Sequence, residues 1–224
     1  MPPRKLTPEA IASAAVDLAD REGIEGLTMR SLARHLGVEA MSLYHHFVGK
    51  DALLDAMVDR VYGEIVLPAA DGNWRAELRR RSASVREALR RHPWAVPLME
   101  SRRTPGPATL AYHDANIACL RAAGFSADQV AHAYAIVDAY VYGFTLSETA
   151  LPFDTGEEAA VMVQEEPLQA LLTAYPNMGW FVENVVLVPG YSFAREFAPG
   201  LELLLDGIES RRRGVPANDP SRGA

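Results

Sequence analysis

A chain of 224 residues and 24.5 kDa is long for one small domain and short for two large ones, so a small domain joined to a larger one is the natural partition. Its hydrophobic share of 49% and charged share of 23% exclude wholesale disorder and collagen-like repeats, and its single cysteine, Cys119, excludes an internal disulfide framework or a cysteine-based zinc finger. The net charge of −7 argues on average against a nucleic-acid partner, but residues 1–50 are neutral and residues 51–224 carry the whole deficit, so charge permits DNA binding without announcing it.

Met1-Pro-Pro-Arg-Lys has no apolar segment behind it and does not read as a signal peptide. No apolar run is long enough to span a membrane, and a cytoplasmic protein is expected. Thr7-Pro8-Glu9 is a helix start, and Ile11, Ala14, Ala15, Leu18 and Ala19 form one apolar face ending at Gly23. Thr28 caps a second helix through Met29, Leu32, Ala33 and Leu36, which Gly37 breaks. Helical spacing resumes from Ala40 to Phe47. Gly49-Lys50-Asp51 opens a fourth helix that runs through Val61 to Ile65. Pro68 to Gly72 reads as the junction, placing one domain at 1–66 and a larger one at 73–213.

Past the junction, Trp74 to Arg91 is Arg-rich and interspersed with Glu, which reads as a solvated face. His92-Pro93-Trp94 breaks it, a short segment reaches Met99, and 102–107 is a loop. Ala108–Ala123 and Asp128–Leu151 are two long helices. Less regular helix runs to about Ala174, Tyr175–Gly190 has no clear assignment, and a last helix spans Phe197–Arg213. Cys119 falls within a helix and reads as a buried thiol. The polar stretch 214–224 is expected to be a disordered tail. The fold class is all-α.

Functional meaning concentrates between Thr28 and Lys50. Two short helices meet at Gly37, with Ala33 small at the crossing and Leu36, Val38 and Leu43 holding the pair on the first helix. That pattern is a helix-turn-helix sized for a major groove, or else an αα-corner inside a helical bundle. The short second helix exposes Met41, Ser42, Tyr44 and His45.

Gly26-Leu-Thr-Met-Arg-Ser-Leu-Ala-Arg-His-Leu-Gly-Val, Ser42-Leu-Tyr-His-His-Phe and Gly49-Lys-Asp-Ala-Leu-Leu resemble the signature of the TetR family of transcriptional regulators, over residues 7–66. His92-Pro93-Trp94 and Gly200-Leu-Glu-Leu-Leu-Leu-Asp-Gly-Ile-Glu are similar to the tetracycline-repressor branch of C-terminal domains. The resemblance implies a homodimer that binds a palindromic DNA operator and a small-molecule effector. It implies phosphate contacts from Thr28, through its hydroxyl or backbone N–H, and from Tyr44, His46 and Lys50. Arg30 is placed to reach a guanine or a phosphate, and Ala40, Met41, Ser42 and His45 occupy the base-reading positions. Thr28 as a pure cap, Tyr44 as core packing and Lys50 as a solvated cation are the structural alternatives.

The helix 128–151 carries Val130, Tyr134, Val137, Val141 and Phe144 on one stripe and Ile136, Ala139, Tyr140 and Gly143 on another, so it is buried on two sides. The resemblance implies that one side pairs with the final helix across a two-fold axis and the other faces a pocket. The candidate effector residues are Trp94, Met99, Tyr112, His113, Asn116, Tyr134, Asp138 and Phe144, each with core packing as the alternative. Asp138 in that apolar setting needs a partner, either a ligand or a bond across the dimer. Tetracycline-sensing members place a His near the end of the fourth helix. None lies between Arg60 and Arg91, so tetracycline–magnesium is not the expected effector. An apolar or aromatic compound with one or two polar groups fits this lining better. No glycine-rich phosphate loop, His-Glu-x-x-His or serine elbow is present, and neither an enzyme nor a cofactor is expected. A repressor released by its effector is the leading reading. An activator, a corepressor-dependent regulator and a helical ligand-binding module are the alternatives.

Overall fold

The computed structural model describes residues 6–99, 101–102 and 104–214, and no strand occurs among them. The all-α expectation holds. Two compact units divide the chain between Tyr142 and Gly143. The expected junction at 68–72 is a short loop inside the first unit, and of the expected tail all but Gly214 lies outside the described residues.

The first unit begins with α1 (Pro8–Gly26), α2 (Met29–Leu36), α3 (Ala40–Tyr44) and α4 (Lys50–Tyr62). Thr7 caps α1 by accepting from the Ala10 amide at 3.2 Å, and Gly23, at φ +76°, kinks the helix where the sequence placed its end. Thr28 and Ser31 form a reciprocal capping box on α2. Gly37 adopts φ +69° there, and the amide of Val38 reaches back to Ala33 O at 3.0 Å. That turn sets α3 against α2, with Leu32 and Leu43 fully buried behind it.

Two helix ends differ from expectation. α3 stops at Tyr44, because His45 and His46 lie in a tightening turn whose amide–carbonyl bond runs from His46 to Leu43 at 3.0 Å. α4 stops at Tyr62, and the last residues to Ile65 are turns closed by bonds such as Ile65 N to Tyr62 O at 3.1 Å.

The unit continues with α5 (Trp74–Arg91), a 3-10 turn over Pro93–Ala95 leading into α6 (Val96–Met99), α7 (Pro107–Ala122) and the first part of α8 (Ala127–Ala150). α5 corrects the solvated-face reading. Trp74, Leu78, Arg81, Ser82, Val85, Ala88 and Leu89 are buried, so an arginine stands in the middle of an otherwise apolar stripe. Cys119 is a buried free thiol on α7.

The second unit contains the end of α8, α9 (Gly156–Val163), α10 (Glu166–Ala174), α11 (Pro176–Phe181) and α12 (Phe197–Gly214). A π-helical turn, Val182–Val186, follows α11, so the unassigned stretch is largely helical. Its core includes Phe144 stacked on Phe193 at 4.7 Å, with Phe197 edge-on at 5.2 Å.

Candidate nucleic-acid interface and effector site

The head formed by α1 to α4 closes its core inward and turns a polar face outward. Ile11, Leu32, Leu43, Leu53 and Met57 are fully buried. Opposite them, Thr28, Arg30, Met41, Tyr44, His45, His46 and Lys50 are exposed, and Ala40 and Ser42 half-buried. Met41 is 67% exposed and Tyr44 48%, so Tyr44 does not pack into the core. Val48, in the turn before α4, is 95% exposed, an apolar side chain at this face that the sequence reading did not single out.

Two of the expected phosphate contacts already have internal partners. The Thr28 hydroxyl accepts from the Ser31 amide at 3.0 Å, and the Thr28 amide donates to Ser31 Oγ at 2.8 Å. Both groups assigned to a phosphate are thus engaged in the cap, which is the structural alternative for this residue. Lys50 Nζ donates to Ile24 O at 3.4 Å, a long bond that leaves the cation exposed at little cost.

The effector candidates divide into three places. The Trp94 indole donates to Asp20 Oδ1 at 2.6 Å, which fastens the 3-10 turn to α1. His92 reaches the same oxygen from Nδ1 at 2.8 Å, and its Nε2 meets Glu64 Oε2 at 3.2 Å. Burial works to raise the Glu64 carboxyl, but hydrogen bonds from Arg91 and His92 outweigh it and hold it below the usual carboxylate range. Phe144 belongs to the aromatic core of the second unit.

Met99 and His113 line a cavity of about 190 Å³ beside α4, with Asp55, Val58, Arg102 and Thr109. Arg102 Nε donates to Asp55 at 2.6 Å, tying the loop before α7 to α4. Asp59 supplies the cap that α7 lacks, accepting from the Thr109 amide at 2.8 Å and its hydroxyl at 2.9 Å. Gly106 permits this approach, since a Cβ there would stand 2.3 Å from the Asp59 carboxyl carbon.

Tyr112, Asn116, Tyr134 and Asp138 do come together, around a residue the sequence reading placed in solvent. Both terminal nitrogens of Arg81 donate to Asp138 Oδ1, the second at 2.5 Å. Arg81 is 1% exposed and Asp138 5%. The partner of Asp138 is therefore an arginine of its own chain. The Tyr112 hydroxyl donates to the same oxygen at 3.4 Å, and the Asn116 amide donates to Tyr112 O at 2.7 Å. His113 Nδ1 meets the Tyr134 hydroxyl.

Burial pushes the Asp138 carboxyl up, with Arg81 opposing it. Burial also opposes the Arg81 cation, but Tyr112 and Asp138 beside it more than compensate. The Tyr112 phenol is held well above its ordinary range by burial. The signal for Arg81 was its helical spacing from Trp74, Leu78 and Val85 on the buried stripe. Among the described residues, no group of three or more His, Cys, Asp or Glu could hold a metal ion.

Comparison with known proteins agrees with both halves. Residues 11–57 match the model of bacterial regulatory proteins of the tetR family, and residues 67–212 match that of the tetracyclin repressor-like C-terminal domain. The chain is 34% identical over 230 residues to the HTH-type transcriptional repressor DrrR1 of Streptomyces coeruleorubidus, covering 96% of this chain and 83% of that protein. It is 35% identical over 211 residues to the class A tetracycline repressor from transposon 1721 of Escherichia coli, covering 93% of each. BioQ of Mycobacterium smegmatis is similar in structure, with a TM-score of 0.65 and 29% identity over 92% of this chain and 99% of that one. A structure of BioQ with its natural double-stranded DNA operator matches at a TM-score of 0.62 and 26% identity, covering 92% and 99%. The chain belongs to the TetR family, with a helix-turn-helix head and a tetracycline-repressor-like C-terminal domain, and so stands among transcriptional regulators and not enzymes.

Proposed function

We propose that the chain is a cytoplasmic transcriptional repressor that binds a palindromic operator as a homodimer and is released by a small hydrophobic effector. The observation that carries this reading is the outward face of α3 and the turn after it. Met41, Tyr44, His45 and His46 stand in solvent there while Leu32 and Leu43 close the core behind. A two-helix corner serving only a bundle would bury that side. The TetR relatives named above, including one solved with its operator, support the assignment of this face to DNA.

Arg30, Ala40, Met41, Ser42 and His45 are the base-reading set, and Tyr44, His46 and Lys50 grip phosphates. Thr28 acts through the cap it gives α2. Two half-sites about one helical turn apart, near 34–36 Å, suit a two-fold helix-turn-helix dimer. For the dimer, the α8 stripe of Ile136, Ala139 and Gly143 is exposed in the single chain, and Leu203 on α12 is 74% exposed. Such apolar surface on two helices suits a four-helix bundle between subunits.

Effector response follows from the contacts of α4. The helix begins beside the phosphate-gripping Lys50, and its Asp55 and Asp59 are held by Arg102 and Thr109 around the cavity. A compound preferring a different spacing of these groups shifts α4 and with it the head. Light scattering at micromolar concentration combined with selection from random duplex DNA tests the reading. The expected result is a dimer selecting an inverted repeat. A monomer, or no selected sequence, contradicts it and favours a helical ligand-binding module.

A further inference from the structure

A second, larger space borders α4. An open groove of about 520 Å³ lies among the first turn of α1, the turn after α3, α4 and the start of α7, all within the first unit. Phe47, Ala56 and Pro107 give it apolar walls, and its size suits a small molecule. It is separate from the 190 Å³ cavity. Asp59 lines the groove and Thr109 the cavity, so the bonds between those two residues mark the divide.

The charges lining the groove are of both signs and do not pair with one another. Glu9 comes from α1, and Asp59 and Arg60 from α4. Among the described residues Arg60 has no ion pair, and neither Glu9 nor Asp59 meets a cation. Both bonds to Asp59, from the Thr109 amide and hydroxyl, fall on Oδ1, which leaves Oδ2 for another donor. The Glu9 carboxyl is held below its ordinary range by its own backbone amide and by Thr7, so it is charged at neutral pH. Glu64 at the groove is already paired with Arg91 and His92. The helix starts of α1 and α7, each worth about half a positive charge, offset part of Glu9 and Asp59. With Arg60 added, the sum is near zero, and neither a lone cation nor a lone anion is favoured by net charge. A molecule carrying both charges satisfies all three side chains.

We infer that this groove binds an amphipathic amino acid, a zwitterion whose ammonium meets Glu9 and Asp59 Oδ2, whose carboxylate meets Arg60 and whose apolar side chain rests on Phe47, Ala56 and Pro107. The site is distinct from the effector cavity and does not depend on that reading. Its occupant touches α1, α4 and α7 together.

The test is a ligand-observed NMR titration of the full chain with three matched probes: tryptophan, the cation tryptamine and the anion indole-3-propionate. Tryptophan is expected to bind about fivefold more tightly than either analogue, since each analogue forfeits one exposed ion pair. Arg60→Gln should weaken tryptophan and indole-3-propionate by about fivefold and leave tryptamine unchanged. Glu9→Gln should weaken tryptophan and tryptamine and leave indole-3-propionate unchanged. Both residues are exposed, so both variants should keep the unfolding midpoint of the parent chain. No binding of tryptophan, equal or tighter binding of either analogue, or tryptophan affinity unmoved by either substitution would overturn the proposal.

Discussion

The DNA-facing head and the Arg81–Asp138 cluster handle polar residues in opposite ways. On the head, Arg30, His45, His46 and Lys50 stand in water, Arg30 and Lys50 held out by α2 and α4 and the two histidines by the turn after α3. In the cluster, one cation and one anion are withdrawn from water and are stable only because α5 and α8 bring them into contact. The difference teaches that a surface charge is a short-range property of its helix, whereas a buried charge is a property of the fold.

The sharpest way to break the comparison is Arg81→Ala. Leaving Asp138 buried without its partner should destabilise the chain by about 3–5 kcal/mol, read as a lower urea midpoint. Replacing Arg81 with Met and Asp138 with Leu together should restore much of that loss, because two apolar side chains need no counter-charge. A small effect of the single change would show that the pair is not sealed from water.

On the head, effects should fall on DNA and not on stability. Arg30→Ala is expected to cost roughly 1–3 kcal/mol at one base pair and to relax the preference there. Equal weakening of all operators would confine Arg30 to the backbone. Lys50→Ala should weaken every sequence alike and lower the salt slope by about one unit. Its existing bond to Ile24 is long enough, at 3.4 Å, that stability should change little.

The smallest effect belongs to Glu64. Its folded carboxyl is held below the ordinary range, so its contribution is complete above that range and is lost as pH falls through the depressed folded value. Glu64→Gln should flatten the acid side of the stability–pH curve by about 0.5–1 kcal/mol, measured by urea unfolding between neutral and acidic pH.

Legibility in the sequence followed the same division. Thr7, Thr28 and Gly37 announce helix boundaries through local capping and a left-handed turn, so the head could be read within a residue or two at most boundaries. The end of α3 was overextended to Phe47, because apolar spacing continues through a turn as it does through a helix. Asp138 was legible as a carboxylate in need of a partner, but Arg81 was not legible as that partner. Its neighbours Arg79, Arg80 and Arg90 are the same residue type, and only the phase of the helix separates the buried arginine from these exposed ones. The contact of Trp94 was not legible for a related reason, since its bond to Asp20 spans 74 residues of sequence.

The central claim is that occupancy of the second domain and DNA binding by the head are linked. The most direct measurement is fluorescence anisotropy of a selected operator duplex, titrated with the full chain at saturating effector and without it. Linkage of about 1–3 kcal/mol predicts operator binding weakened roughly 5–150-fold, with effector affinity reduced by the same factor when operator is bound. An effector that binds tightly while leaving operator affinity unchanged, or raising it, would contradict the account.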